Sequence, residues 1–143
     1  MLIPSKDESI WSKNEYDNFV LDLEFKNAEG TNSGVIVHAT DIKEWIPHSV
    51  EIQIADDYSE EWSKAPANWQ CAAIFGHQPA TKHIVKKAGE WNHYTITCIK
   101  RKIWVVLNGE LIDPVHYFFN DLSPLEYEKV LAIASVENQS LGN

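Results

Sequence analysis

Residues 49–57, S-V-E-I-Q-I-A-D-D, hold the first candidates for chemistry: Glu51, Gln53 and Asp56. Val50, Ile52 and Ile54 alternate with Glu51 and Gln53, the period of a β-strand, so the apolar half faces a core and the polar half faces away. An outer face serving structure alone is more often filled with Thr, Lys or Ser than with an acid and an amide followed by two more acids. Two same-face residues stand roughly 7 Å apart, a working distance for polar groups that grip one small polar ligand. A carboxylate there offers a base, and an amide offers both a donor and an acceptor. The rest of the chain has to hold this strand in the middle of a sheet.

Further candidates flank it. Trp45, Trp62 and Trp69 fall in the connections on either side, where each either offers a flat apolar platform to a ligand or pins its loop to the core. His38 reaches the polar side of its own strand provided Val35 and Val37 are core, and is otherwise structural. His48, after Pro47, and His77, after A-I-F-G, are loop residues at the same end of the chain's pattern. Trp91 reads as core or turn packing, and Lys82, Lys86 and Lys87 as a solvated face.

The elements that position these residues are strands. Residues 18–26 alternate cleanly, with Phe19, Leu21, Leu23 and Phe25 on one face. A turn over 27–34 leads to a second strand over 34–40; Asn32-Ser33-Gly34 is assigned to the turn. A loop over 41–48 precedes the central strand. The connection over 58–69 is longer than is usual without a function. Short strands are expected at 70–75 and around 84–85, then a hairpin over 92–100 and 102–107. Asn108-Gly109 signals a type I′ turn into a return strand at 110–112. A last strand is expected at 130–136. Many short strands with little helical periodicity predict an all-β fold, an antiparallel β-sandwich.

Bulk properties narrow the function classes. The 143 residues suit a single domain, and 44% hydrophobic with 23% charged residues suits a globular one. A net charge of −9 speaks against nucleic acid or an anionic membrane surface as a partner. No apolar run approaches the ~20 residues of a membrane span, and no signal peptide is visible. Cys71 and Cys98 sit in apolar strand-like runs and read as buried free thiols. No phosphate loop, nucleophile elbow or nucleotide fingerprint occurs.

Several stretches, in order, resemble one family: N-E-Y-D-N-F-V-L-D-L-E-F-K, T-N-S-G-V-I-V-H-A, V-E-I-Q-I-A-D-D, A-I-F-G, A-G-E-W-N-H-Y-T-I-T and V-V-L-N-G-E-L-I. Together they resemble the 3-keto-disaccharide hydrolase domain family over roughly residues 11–112. The resemblance implies a concanavalin A-like jelly roll and a carbohydrate ligand, and an extracytoplasmic location would suit it, though the residues leave location unknown. It also implies two closing strands, of which A-I-A-S-V-E-N-Q-S over 132–140 is at best a worn version of the first and the second is missing. The chain is therefore expected to be a fragment, a degenerate copy, or a homodimer that pairs exposed sheet edges.

The resemblance also sets the chemistry. Glu51-Ile52-Gln53-Ile54-Ala55-Asp56 has the spacing of E-x-D-x-x-E in bulged glucanases of this broad fold, so a β-bulge near Ala55 is expected to return Asp56 to the face of Glu51. Gln in the middle and the shorter Asp at the end weaken a two-carboxylate retaining mechanism. A ketone at C3 instead acidifies the C2 proton and makes the C1 glycosidic oxygen a β-leaving group. Cleavage then needs one base, Glu51, with Gln53 or His38 orienting or polarising. A divalent cation would suit the ketone, but no ligand spacing dictates a metal. A lectin-like module that only binds sugar is the alternative.

Overall fold

The computed structural model describes residues 9–100 and 102–115. Strands β1 (Phe19–Lys26), β4 (Trp91–Ile99), β5 (Lys102–Leu107) and β6 (Glu110–Val115) form an antiparallel sheet in the order β1-β4-β5-β6. Strands β2 (Asn32–Val37) and β3 (Val50–Ala55) form a second antiparallel pair. The two layers make an all-β sandwich. Its one α-helix among the described residues, α1 (Glu60–Ser63), is a single turn capped by Ser59, whose Oγ accepts the Trp62 N–H.

The period-2 pattern explains the core. Ile52 and Ile54 from β3 meet Tyr94, Ile96 and Cys98 from β4 and Ile103, Val105 and Leu107 from β5, with the four apolar residues of β1 packed against them. Each such side chain removed from water contributes about 1.5–3 kcal/mol. Tyr94 ties the layers: its ring lies 4.9 Å from that of Phe25, and its hydroxyl donates to the Gln53 carbonyl at 2.7 Å. Cys71 and Cys98 are both free and buried, and burial pushes their thiols up to about 11 and about 12.

Four sequence expectations change. β2 begins at Asn32, so Asn32-Ser33-Gly34 lies in the strand, paired with Ala55, Ile54 and Gln53; the turn is confined to the residues before it, with Gly30 at φ 71°. The 70–75 stretch is not a regular strand, because Ala72 takes φ 67°, yet it still bonds to β3. Residues 84–85 form no strand. Trp91 is exposed, with the Lys26 ammonium 4.8 Å from its ring. The Asn108-Gly109 turn has both residues at positive φ, as a type I′ turn requires. The strand expected at 130–136 lies outside the described residues.

Candidate functional site

β3 is the best-anchored backbone in its layer. β2 bonds one edge. On the other edge the Gln53 N–H donates to the Ala73 carbonyl at 2.9 Å, the Gln53 carbonyl accepts from Ala72 at 3.0 Å, and the Glu51 carbonyl accepts from Phe75 at 2.9 Å. The strand is central, as its pattern required, and its side chains start from a fixed backbone.

With Ile52 and Ile54 turned into the core, Glu51 and Gln53 share the opposite face. Across β2 that face carries Asn32 opposite Ala55, Gly34 opposite Gln53 and Ile36 opposite Glu51. Glu51 folds over Gly34: a Cβ at that position would stand 2.7 Å from Glu51 Cγ and 2.8 Å from Cδ. Glycine here is a steric requirement, since any larger residue displaces the carboxylate. Among the described residues nothing donates to the half-buried Glu51 carboxylate, and desolvation raises its pKa above 4.5.

Gln53 is 0% exposed. Its Nε2 donates to Asn32 Oδ1 at 3.2 Å, while its Oε1 is buried without a partner among the described residues. Asn32 is exposed at the edge of the same face. Sequence reasoning missed Asn32 because Asn next to Ser and Gly is a turn signal; only the strand register reveals its neighbours.

Comparison with known proteins gives the family. The model of the 3-keto-alpha-glucoside-1,2-lyase-like domain matches residues 3–121. The chain belongs to this family. A provisionally assigned glycosyl hydrolase from Parabacteroides distasonis aligns with a TM-score of 0.75 at 55% identity, over 77% of this chain and 56% of that one. A second such protein from the same organism aligns with a TM-score of 0.62 at 22% identity, over 69% of this chain and 50% of that one, a likeness of fold. The chain thus spans about half the length of these structures. No curated protein matches it.

The remaining candidates are dispersed. The β2–β3 register runs without a shift from Asn32↔Ala55 to Val37↔Val50, so the expected bulge near Ala55 is absent. Asp56 lies past the strand end, 2% exposed, accepting the Gly30 N–H at 3.0 Å and the Tyr58 N–H at 3.3 Å. Its carboxylate is spent on closing the turn rather than returned beside Glu51. Trp62 is 6% exposed and donates from Nε1 to the Gly30 carbonyl, so it pins its loop. Trp69 is 43% exposed and stacks on Phe75 at 5.4 Å. Because Phe75 bonds the Glu51 carbonyl, this aromatic pair flanks the edge of β3 opposite β2.

Val35 and Val37 do pack with the core, the condition set for His38, but His38 itself takes φ 54° and leaves the pleat beyond β2. Its Nε2 is buried without a partner, and desolvation lowers its pKa, with Asp17 acting in the opposite direction. Trp45 and His48 bracket a 3-10 turn over Ile46–His48, where the Trp45 carbonyl accepts from Ser49 Oγ at 2.7 Å. His77 is exposed in the turn after Phe75. No group of three or more His, Cys, Asp or Glu side chains converges among the described residues. A separate cleft of about 380 Å³ is lined by Asp57, Tyr58, Ser63, Gln70, His83 and Val85, and by none of the candidates named from sequence.

Proposed function

We propose that this domain cleaves the glycosidic bond of a 3-keto-α-glucoside by elimination, with Glu51 as the base. The observation that carries the reading is the Glu51 carboxylate: held over Gly34, bonded to nothing among the described residues, and raised in pKa by desolvation. A base whose pKa is lifted toward the working pH abstracts a carbon-bound proton better than an ordinary solvated carboxylate. The family description, a 1,2-lyase acting on 3-keto-α-glucosides, is the chemistry such a base would serve.

The steps balance without redox change. Glu51 takes the C2 proton, and the electron pair of that bond moves toward the C3 carbonyl as an enolate. The enolate collapses, C1=C2 forms, and the C1–O bond breaks; the departing oxygen takes a proton from water. The hydroxide left from that water then adds to C1 and Glu51 returns its proton to C2, which restores the carboxylate and completes a net hydrolysis. Gln53 does not touch the sugar in this scheme, since it is sealed from solvent; it acts through Asn32. His38, whose pKa burial lowers, lies beyond the end of β2 and is assigned no step. The exposed Trp69 ring supplies an apolar face beside β3 on which a sugar would stack.

Turnover of a 3-keto-α-glucoside by the wild-type chain and by Glu51→Gln tests the reading. Loss of about 10²–10⁴-fold in kcat is expected, the usual contribution of a general base. A Glu51→Gln variant with undiminished turnover rejects it. Binding of the sugar with no turnover by the wild type would select the lectin-like alternative.

A further inference from the structure

The outer face of the β2–β3 layer holds two unspent groups of opposite kind. One is the Glu51 carboxylate, an acceptor without a donor among the described residues. The other is the Asn32 amide. Its Oδ1 is occupied by the Gln53 Nε2–H at 3.2 Å, so the amide is turned with Nδ2 at its other end, carrying two N–H donors without an acceptor among the described residues. Asn32 is exposed, and Gln53, which holds it, is wholly buried and has nowhere to swing. Gln53 keeps this orientation while its own Oε1 stays buried and unpaired among the described residues. A buried orphan acceptor of this kind is costly and calls for an explanation beyond packing.

The spacing suits one sugar ring. Glu51 lies over Gly34, and Asn32 is the next same-face residue of β2, roughly 7 Å along the strand. A ring whose C2–H meets Glu51 directs the neighbouring C3 oxygen along the same face. Both strands are fixed by their ladder, so donor and base are held in register before a ligand arrives.

We propose that Asn32 is a second catalytic residue, donating from Nδ2 to the C3 oxygen as it gains charge, and that Gln53 is the positioning residue that aims it. This rests on the reading of Glu51 as the base. The amide stabilises the enolate more than the ketone, because the hydrogen bond strengthens as negative charge develops on that oxygen. Deprotonation and enolate formation are therefore the steps it accelerates.

The test uses the full chain with a 3-keto-α-glucoside in D₂O, following C2–H exchange by NMR together with kcat and KM. Asn32→Asp retains an acceptor for Gln53 but replaces the free N–H donors with oxygen. Asn32→Ala removes both contacts, and Gln53→Leu frees the amide. Removal of one such donor is expected to lower kcat and exchange by about 10²–10³-fold. Asn32→Asp should also move the pH profile of kcat/KM upward, since a second carboxylate beside Glu51 disfavours its ionisation. Gln53→Leu should fall between these variants and the wild type, with kcat affected more than KM. Wild-type kcat and exchange in both Asn32 variants overturn the proposal and leave Glu51 standing. If the wild type binds the sugar without exchanging C2–H, Glu51 fails as the base; weaker binding by Asn32→Asp then still supports the hydrogen bond, and equal binding overturns it. If the wild type neither exchanges nor binds, both readings fall.

Discussion

The two sheets each carry an acid on their outer face, and they treat it in opposite ways. On β1, Asp22 receives His93 Nε2 at 2.7 Å on one oxygen and the Thr95 hydroxyl at 2.9 Å on the other. On β3, Glu51 meets a glycine and receives neither. Both side chains are partly buried, so the contrast is one of partners rather than of solvent. A carboxylate with two donors on neighbouring strands is part of the sheet's own wiring. A carboxylate desolvated without donors is costly to keep charged, and that cost is what makes it basic.

The largest effect is expected from removing the unpaired charge. Glu51→Gln should lose turnover by about 10²–10⁴-fold while gaining thermal stability at neutral pH, read as a higher Tm. The sign follows from linkage. Glu51's folded pKa is raised above its unfolded value of 4.5, so the folded state binds the proton more tightly and loses stability as pH rises from there through the folded pKa. Above that window the charged form remains a net cost, which the amide lacks. Turnover should run the other way, rising with pH through the same raised pKa.

Asp56 offers the opposite case within one strand's length. Asp56→Ala should destabilise the fold by about 3 kcal/mol, measured by urea denaturation, because the Gly30 and Tyr58 N–H groups lose a buried, charged acceptor. A smaller change would give Glu51 the partner that Asp22 already has. Ile36 stands directly across from Glu51, and Ile36→Lys places an ammonium beside it. Stability should rise by up to about 1 kcal/mol, the pH profile should move to lower pH, and turnover near neutrality should fall about tenfold. The smallest effect is expected at Asp22: Asp22→Asn should cost about 1 kcal/mol in denaturation and leave turnover unchanged.

Much of this was legible in the residues. The alternation over Phe19–Lys26 and Val50–Ala55 specified which side chains enter the core, and the observed core uses them. The Asn108-Gly109 turn followed from the positive φ that its two residues tolerate. Where the reading failed, a distant contact overrode a local preference. Asn32-Ser33-Gly34 carries turn residues, yet pairing with β3 draws it into a strand. Asp56 has catalytic spacing from Glu51 only if a bulge intervenes, and the uninterrupted ladder excludes one. Trp62 and Trp69 look alike in their loop; a hydrogen bond to Gly30 buries the first, and stacking on Phe75 leaves the second exposed.

The sequence by itself determined an antiparallel sandwich, a central strand with Glu51 on its outer face, and the family to which the chain belongs. Period-2 patterning and turn chemistry are local properties, and local properties can be read along a chain. The tertiary structure decided which polar residues on that strand are spent and which are free. Gln53 is sealed and bonded to Asn32, Asp56 is consumed by the Gly30 turn, and Glu51 is left over a glycine with no donor among the described residues. Whether a polar group has a partner depends on residues 17 to 26 positions away in sequence for these three side chains. A partner brought in from that distance leaves no periodic trace.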